Sequence, residues 1–348
     1  MLKNMRILIA AGIYYPDIGG PATYAKYLVN ELPNRGVRTG EPLVYAEIAK
    51  KWPKGLSHFV YFLDVLRRSW SKDLILVTDP ISAGFPVYLA SFISGKPYVL
   101  KIGGDYVWEQ SFQRFGVKEL LDQFLEKKYS LRIKLMRSIQ SRVAKRAAIV
   151  IAPSNYLADV AEKWGVERSK IKVIYNSVSQ VSRILKKEAR EKLGVGENEV
   201  ILFSGGRDVP WKGFSVVREI TIPNAKIVVG QFPKETYELW LSACDIYLLN
   251  TGYEGFSHQL LEAMTLGKPI ITTNVGGNKE IAENGENALV VEYNDKEAWI
   301  REINRLIADK ELQKKLSENA KATAQKFLAK DMVGETINVL RQVIRIHK

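Results

Sequence analysis

The chain has 348 residues, a length that predicts about two domains. Its hydrophobic content of 46% suits a globular protein, and no apolar run approaches the roughly 18 to 20 residues that a membrane span needs. The net charge of +13 favours anionic partners, namely nucleotide phosphates, nucleic acid or anionic lipid. Because Cys244 is the single cysteine, the composition excludes an internal disulfide and a multi-cysteine metal site, and it predicts a cytoplasmic protein.

Short β-like runs alternate with helical patterns in chain order, which is typical of an α/β fold with parallel sheets. The first series of predicted strands comprises Arg6 to Ala11, Leu74 to Thr78, Tyr98 to Ile102, Ala148 to Ala152 and Ile171 to Ile174. The second series comprises Val200 to Ser204, Ala225 to Val229, Ile246 to Leu249, Pro269 to Thr272 and Ala288 to Val291. Three helical segments follow Asp295. This order predicts one parallel sheet in each half of the chain.

Each series opens with a strand that runs into a glycine-bearing loop, Gly19-Gly20 in the first and Gly205-Gly206 in the second. The repeat predicts two Rossmann-like domains, residues 1–178 and 179–331, with a boundary near Val178. In open parallel sheets, ligands bind beyond the carboxyl ends of the strands. Two such domains are therefore expected to face a cleft that holds the ligand.

A strongly basic segment lies in the first half. Residues 114–146 hold ten lysines or arginines against three acids, interleaved with aliphatic residues. This pattern fits a basic amphipathic helix pair on an anionic membrane surface, and it also fits a solvated helix face packed on a sheet. Few aromatic residues accompany these bases and no known RNA- or DNA-binding motif is present, so nucleic acid is not an expected partner.

The run from Tyr253 to Met264 places two carboxylates, Glu254 and Glu262, eight positions apart. Ser257 is a good N-cap, and an apolar stripe follows it before a Gly-Lys-Pro stop at 267–269. Glu254 is therefore predicted in the loop before a short helix and Glu262 within that helix, whose free N–H groups form a site for an anion such as a phosphate. Taken alone, the pair also fits a solvated loop residue and an ordinary helix-face charge.

This segment resembles the Glu-x7-Glu signature of retaining nucleotide-sugar glycosyltransferases with the GT-B fold, family four in particular. The resemblance implies that Glu254 faces the hydroxyls of the donor sugar and that Glu262 hydrogen-bonds the ribose of the nucleotide. A carboxylate accepts two hydroxyls at once, which suits both roles. The resemblance also implies that the donor is bound around the helix start, by Gly255, Phe256, Ser257, His258 and Leu261. For His258, the alternative is a solvated position in the first helical turn.

Gly206-Arg207 followed by Lys212 resembles the Gly-Arg…Lys-Gly element of the same family, whose two cations neutralise the donor diphosphate. Departure of a diphosphate builds negative charge, which a fixed guanidinium and an ammonium stabilise without a metal ion. No cofactor is therefore expected besides the nucleoside diphosphate sugar, which is the donor substrate. Arg207, Lys212 and Glu254 are predicted to be catalytic, and the alternative is that the two cations are exposed loop charges of a basic protein.

Two loops in the first half are further candidates. Gly19-Gly20 precedes a helical run, and the resemblance implies that this loop lies against the donor phosphate or the acceptor. Asp105 follows two glycines after a predicted strand, in a region where many relatives carry a histidine. It is the candidate for orienting the sugar or the acceptor hydroxyl, and a turn-forming aspartate is the alternative.

Two segments are shorter than the family pattern implies. Gly36 to Lys54 shows no clean β run where a second strand is normal, and Lys212 to Ala243 has room for one strand where two are typical. The chain therefore looks like a somewhat trimmed GT-B fold. The final helix, Met332 to Ile346, is expected to cross back onto the first domain, as it does in the family.

The resemblance implies a retaining hexosyltransferase that moves a sugar from a nucleoside diphosphate to an acceptor hydroxyl by front-face substitution. Residues 1–178 form the acceptor side and residues 179–331 the donor side in this interpretation. The acceptor is a glycan, a lipid-linked carrier or a small molecule, and residues 114–146 allow a peripheral position at the inner membrane face. The alternatives on the same architecture are a nucleotide-sugar epimerase, a sugar phosphorylase and a non-catalytic nucleotide-sugar or glycan-binding module.

Overall fold

The computed structural model describes residues 5–17, 19–53, 55–177 and 184–347. The chain divides into two compact units, Met1–Asn176 together with Asp331–Lys348, and Ser177–Lys330. Each unit contains one parallel sheet. The boundary that the sequence predicts near Val178 falls among residues 178–183, outside the described residues.

The first unit is a parallel sheet connected by helices. Its strands are β1 (Met5–Ala11), β2 (Val37–Thr39), β3 (Leu43–Val44), β4 (Leu74–Val77), β5 (Tyr98–Lys101), β6 (Ile149–Ala152) and β7 (Ile171–Val173). Its first eight helices are α1 (Gly20–Asn34), α2 (Tyr45–Lys51), α3 (Leu56–Ser69), α4 (Gly84–Ser94), α5 (Tyr106–Arg114), α6 (Leu121–Glu126), α7 (Leu131–Arg146) and α8 (Asn155–Lys163). The strands lie in the order β2-β1-β4-β5-β6-β7, and β3 pairs with the end of β1. The alternating pattern of the sequence therefore predicted the parallel pairing correctly.

The sequence analysis did not predict two strands of this sheet. The segment from Gly36 contains β2 and β3, which pair with β1 so that Val37 lies opposite Met5 and Leu43 opposite Ala10. The two strands are three and two residues long, too short to show an alternating apolar pattern. The expectation that this segment lacks a strand was therefore wrong.

The second unit has the same alternation of strands and helices. Its strands are β8 (Val200–Gly205), β9 (Ala225–Gly230), β10 (Ile246–Leu249), β11 (Ile270–Thr272) and β12 (Leu289–Val290). Its helices are α9 (Lys186–Leu193), α10 (Phe214–Arg218), α11 (Lys234–Ala243), α12 (His258–Thr265), α13 (Lys296–Ala308) and α14 (Lys310–Leu328). The sheet order is β12-β11-β10-β8-β9, and every pairing is parallel. The carboxyl ends of β8 and β10 therefore lie side by side, next to the loops that precede Lys212 and Glu254.

The final helix, α15 (Met332–Ile346), belongs to the first unit. It packs against α1, and its residues Leu340 and Val343 share a buried core with Leu28 and Leu32 of that helix. Apolar side chains that recur at helical spacing thus join segments about 300 positions apart in sequence.

Asp331 fixes the start of α15. Its Oδ1 accepts a hydrogen bond from the Gly334 N–H at 3.0 Å, which is an N-cap contact. Arg35, at the end of α1, donates to the same carboxylate at 2.5 Å, and this hydrogen bond holds the pKa of Asp331 below its ordinary value. One carboxylate therefore caps α15 and ties it to α1.

We expect Asp331→Ala to lower the free energy of unfolding of the first unit by about 1 kcal/mol, because the cap of α15 is lost. Asp331→Asn keeps a capping side chain and removes the charge, so it is expected to stay close to the wild-type protein, since exposed ion pairs contribute little. Urea unfolding followed by circular dichroism measures both. Equal losses in the two variants would assign the effect to the ion pair with Arg35 instead of the cap.

Candidate functional site

The helix α12 starts as the sequence predicts. Ser257 is its N-cap, and the Ser257 Oγ accepts a hydrogen bond from the Leu260 N–H at 3.2 Å. Leu260, Leu261 and Met264 are buried, so the apolar stripe anchors the helix in the core of the second unit. Glu254 accordingly lies in the loop before the helix and Glu262 within it.

Lys212 and Glu254 form a largely buried ion pair. The Lys212 Nζ contacts the Glu254 Oε1, and the two side chains are 8% and 13% exposed. Lys212 ends a short helical turn, Pro210–Lys212, that follows the Gly205-Gly206 loop after β8. Two residues 42 positions apart are thus brought into direct contact at the carboxyl ends of neighbouring strands. A buried ammonium and a buried carboxylate stabilise each other only when the geometry is well defined, so this contact requires fixed loops.

Gln259 links this ion pair to the glycine loop. Its Oε1 accepts a hydrogen bond from the Lys212 Nζ at 2.9 Å, and its Nε2 donates to the Gly205 carbonyl at 2.7 Å. A Cβ at Gly206, whose φ is +152°, would lie 2.7 Å from the Gln259 amide, so a side chain there would displace Gln259. Sequence reasoning did not select Gln259, although it is the second residue of α12 within the same motif.

Backbone hydrogen bonds join the Lys212 turn to the Glu254 loop. The Trp211 carbonyl accepts from the Gly252 N–H at 2.7 Å and from the Thr251 hydroxyl at 3.3 Å. The Glu254 carbonyl accepts from the Gly277 N–H at 2.8 Å, and a Cβ at Gly277 would lie 2.3 Å from the Gly255 carbonyl oxygen. The Gly276–Glu280 turn therefore supports the Glu254 loop by close backbone contact.

Glu262 lies in a low-dielectric environment next to two tyrosines. Burial raises the pKa of its carboxyl to about 7, although the neighbouring Tyr237 hydroxyl lowers it. The Tyr237 hydroxyl oxygen is itself buried and lies beside this carboxylate without reaching hydrogen-bond geometry with any described residue. The Tyr237 ring packs on Phe203, and a Cβ at Gly205 would lie 2.8 Å from it. A glycine at position 205 therefore makes room for this ring.

The other residues predicted in this unit lie in the same region. Phe256 is buried and its ring centroid lies 5.6 Å from that of Phe327, while His258 is the half-buried first residue of α12. Arg207 follows Gly206 directly and is exposed, and none of the described residues forms an ion pair with it. The structure therefore collects the donor-binding candidates around one helix start, with Arg207 on the neighbouring loop.

The predicted site residues of the first unit differ from one another in their surroundings. Gly20 is the first residue of α1 and Gly19 its N-cap, so the glycine loop leads into a helix as expected. Asp105 is 1% exposed and caps α5, because its Oδ1 accepts from the Trp108 N–H and its Oδ2 from the Trp164 indole, both at 2.9 Å. Both carboxylate oxygens thus serve the core of this unit. These contacts favour the turn-forming alternative for Asp105, and a part in orienting the substrate stays a prediction.

The described residues contain no cluster of three or more histidine, cysteine, aspartate or glutamate side chains that is able to hold a metal ion. The positive charge in contact with the Glu254 carboxylate is the Lys212 ammonium.

Two family models match the chain. Residues 18–180 match Glycosyltransferase Family 4, and residues 218–323 match Glycosyl transferases group 1. The two matches lie in different units and together span most of the chain.

Characterised and uncharacterised relatives are similar in sequence. The uncharacterized glycosyltransferase MJ1178 of Methanocaldococcus jannaschii is 24% identical over 356 residues, which cover 93% of this chain and 94% of that protein. The putative glycosyltransferase YtcC of Bacillus subtilis is 24% identical over 193 residues, 53% of this chain and 47% of that protein, so the match spans about half its length. The phosphatidyl-myo-inositol mannosyltransferase of Propionibacterium freudenreichii is 31% identical over 166 residues, 41% of this chain and 42% of that protein.

Solved structures share the fold. Sucrose-phosphate synthase from Thermosynechococcus elongatus superposes with a TM-score of 0.77 at 16% identity and covers 98% of this chain and 100% of its own. Anabaena HepE in complex with UDP-glucose superposes with a TM-score of 0.74 at 19% identity and covers 97% and 100%. The shared fold is GT-B, as the sequence predicts.

The raised pKa of Glu262 predicts a pH-dependent cost to stability. Its pKa rises from 4.5 to about 7 on folding, so the unfolded chain loses this proton first as the pH increases. Stability is therefore unaffected by this group below about pH 4.5, falls between about pH 4.5 and 7, and stays lower above that range. Without donor, Glu262→Gln is expected to exceed the wild-type free energy of unfolding by roughly 1 to 3 kcal/mol at about pH 8 and to match it at about pH 4.5.

Thermal unfolding at the two pH values measures this difference. The control Glu235→Gln, on the exposed side of α11, is expected to show no pH-dependent gain. A gain for Glu262→Gln that is equal at both pH values would contradict the assignment of the effect to burial of the charge.

Proposed function

We propose that this chain, which belongs to the glycosyl transferases group 1 family, transfers a hexose from a nucleoside diphosphate sugar to an acceptor hydroxyl with retention of configuration. The buried contact between Lys212 and Glu254 carries the proposal. It sets a cation and a carboxylate side by side between the Gly205-Gly206 loop and the start of α12. A sugar diphosphate complements this pair, because its phosphates bind cations and its sugar hydroxyls donate hydrogen bonds to a carboxylate.

The proposed chemistry rests on charge and positioning. The bond from the anomeric carbon to the diphosphate oxygen breaks, and the acceptor oxygen bonds to the same face of that carbon. Lys212 and Arg207 stabilise the charge that grows on the leaving diphosphate, and the free N–H groups at the start of α12 donate to its oxygens. The proton of the acceptor hydroxyl passes to the departing phosphate oxygen, so the step needs no separate protein base. The protein contributes alignment and electrostatic stabilisation.

The two glutamates have different parts in this proposal. Lys212 binds Oε1 of Glu254, which leaves Oε2 to accept hydrogen bonds from the donor sugar hydroxyls. Glu262 accepts from the ribose hydroxyls, whose hydrogen bonds compensate for the water that burial has removed. Gly255, Phe256, Ser257, His258 and Leu261 form the donor-binding surface around them.

Donor and acceptor can be proposed by class. HepE was solved with UDP-glucose, which supports a uridine diphosphate sugar as the donor of this chain and requires no further cofactor in the proposed step. The second unit, residues 179–331, is the proposed donor side, and residues 1–178 with the Gly19-Gly20 loop are the proposed acceptor side. The mannosyltransferase among the relatives is named for a phosphatidylinositol acceptor, which supports a lipid-linked acceptor or a glycan.

The proposed location is cytoplasmic with a peripheral membrane contact. No helix in the described part of the chain combines the length and the apolar character needed to cross a bilayer. In the basic segment 114–146, helix α7 exposes Leu131 and Leu135 by 81% and 60% among its lysines and arginines. This segment supports a contact with the surface of an anionic bilayer.

Lys212→Met is expected to reduce sugar transfer by at least about 100-fold, because the leaving diphosphate loses a fixed cation. The measurement is initial rate with a uridine diphosphate sugar and an acceptor panel, and NMR of the product is expected to show the anomeric configuration of the donor. Lys315→Met, an exposed lysine on α14, is the matched control and is expected to keep wild-type activity.

Three outcomes of this assay would count against the proposal. Full activity in Lys212→Met would remove the proposed role of the cation. An inverted product would exclude retention, and conversion of donor to another sugar nucleotide without any acceptor would indicate an epimerase.

Tyr237→Phe tests whether the buried hydroxyl beside Glu262 binds the nucleotide. The variant keeps the ring that packs on Phe203 and removes a buried hydroxyl that lies beside the Glu262 carboxyl. We expect affinity for UDP, measured by calorimetry, to fall roughly three- to tenfold, the range of one hydrogen bond, while the thermal midpoint of the free protein changes little. Unchanged affinity would place this hydroxyl outside the nucleotide site.

A further inference from the structure

The outward faces of helices α3 and α4 are apolar. Half or more of the large hydrophobic side chains exposed in the described residues, eight of fifteen, lie between Trp52 and Ile93. The two helices pack against each other. We call the following set the apolar face: Leu56, Phe59, Leu63 and Trp70 along α3 and its end, and Leu89, Phe92 and Ile93 on α4.

The exposed apolar residues of α3 lie along one side of the helix. On α3 the apolar face follows the helical repeat from Leu56 through Phe59 to Leu63, and the opposite stripe, which includes Tyr61 and Val65, is completely buried. The buried stripe therefore attaches α3 to the core of this unit, and the apolar face on its other side is not needed for that packing. A helix with one buried stripe normally presents polar residues on the other side, and a contiguous apolar patch of this kind marks an interaction surface.

Three of the four most exposed members of the apolar face are aromatic. Phe92 is 72% exposed, Trp70 62% and Phe59 55%. Tryptophan and phenylalanine favour the boundary between lipid headgroups and acyl chains, where apolar faces of surface-bound helices insert.

Basic residues border the apolar face. The described residues between positions 45 and 72 contain five lysines or arginines and two acids. One of these acids, Asp64, is already bound by Arg67 and Arg68 at 3.0 and 3.3 Å. On the other side, α7 packs against α4 and places the Arg146 guanidinium 5.7 Å from the centre of the Phe92 ring. The border is therefore positively charged next to the most exposed aromatic side chain.

We propose that the apolar face binds the surface of an anionic lipid bilayer, with its aromatic and aliphatic side chains in the headgroup region and its basic border on lipid phosphates. A second copy of the chain is a poorer partner, because a two-fold contact would bring two basic borders together. The proposal extends the membrane contact put forward above for residues 114–146 and makes α3 and α4 the inserting part. It does not depend on the chemistry of the donor site.

Co-sedimentation of the full chain with vesicles tests this surface. We expect binding to vesicles of phosphatidylcholine with phosphatidylglycerol, and weaker binding to phosphatidylcholine alone or at high salt. Phe59→Ser/Phe92→Ser is expected to lower the partition coefficient at least tenfold without changing the thermal midpoint, because both side chains are exposed. Leu185→Ser/Leu328→Ser, at two exposed leucines of the second unit, is the matched control and is expected to lower it less than threefold.

Brominated lipids give an independent signal. They quench tryptophan fluorescence only at short range, so quenching of the bound protein is expected to decrease strongly in Trp70→Phe. The proposal is overturned if the wild-type chain does not bind anionic vesicles, or if Leu131→Ser/Leu135→Ser on α7 abolishes binding while Phe59→Ser/Phe92→Ser keeps it. A lipid-independent dimer that Phe59→Ser/Phe92→Ser dissociates would assign the face to a second copy. Vesicle binding is expected to persist in Lys212→Met, so failure of the transferase proposal and failure of this one are distinguishable.

Discussion

The burial of the Lys212 ammonium beside Glu254 is the constraint on which the loops of the candidate site depend. Two nearly buried opposite charges stabilise a fold only when each has well-placed partners, since an unpaired buried charge is very unfavourable. The sequence meets this requirement with Gln259, which binds the ammonium and the Gly205 carbonyl at once. Loops that would otherwise be variable are thereby held in one arrangement before any substrate arrives.

The same constraint explains the glycines around the site. Gly206 leaves space for the Gln259 amide, and Gly205 leaves space for the Tyr237 ring. Removing side chains at these positions lets α12 and α11 approach the end of β8 closely. The Tyr237 hydroxyl and the Glu262 carboxyl lie side by side there, largely removed from water. Such groups gain most from a ligand that supplies the missing hydrogen bonds, and ribose hydroxyls have that chemistry.

The candidate site of the second unit and the apolar face of the first depend on different interactions. In the second unit, a few buried charges and hydrogen bonds define a polar site, so single substitutions are expected to have large local effects. In the first unit, the apolar face depends on the area of many side chains together with a diffuse positive border. Its binding is expected to be graded, salt-dependent and indifferent to any one contact.

Much of this architecture could be predicted from local patterns. Buried strands such as β4 and β10 are continuous apolar runs, the Ser257 cap and apolar stripe identify α12, and the final helix has the predicted bounds. These features depend on residues close together in the chain, whose periodicity and capping chemistry are visible in the sequence.

Tertiary structure decided what local patterns do not contain. The strands β2 and β3 form through pairing with β1. The Asp105 carboxylate accepts a hydrogen bond from the indole of Trp164, which lies 59 positions away in sequence. Gln259 became a site residue through contacts with a loop about 50 positions earlier. Whether a stripe of α3 is core or surface likewise depends on which side meets the sheet. Hydrogen bonds and packing between distant segments, which no local periodicity records, determined these outcomes.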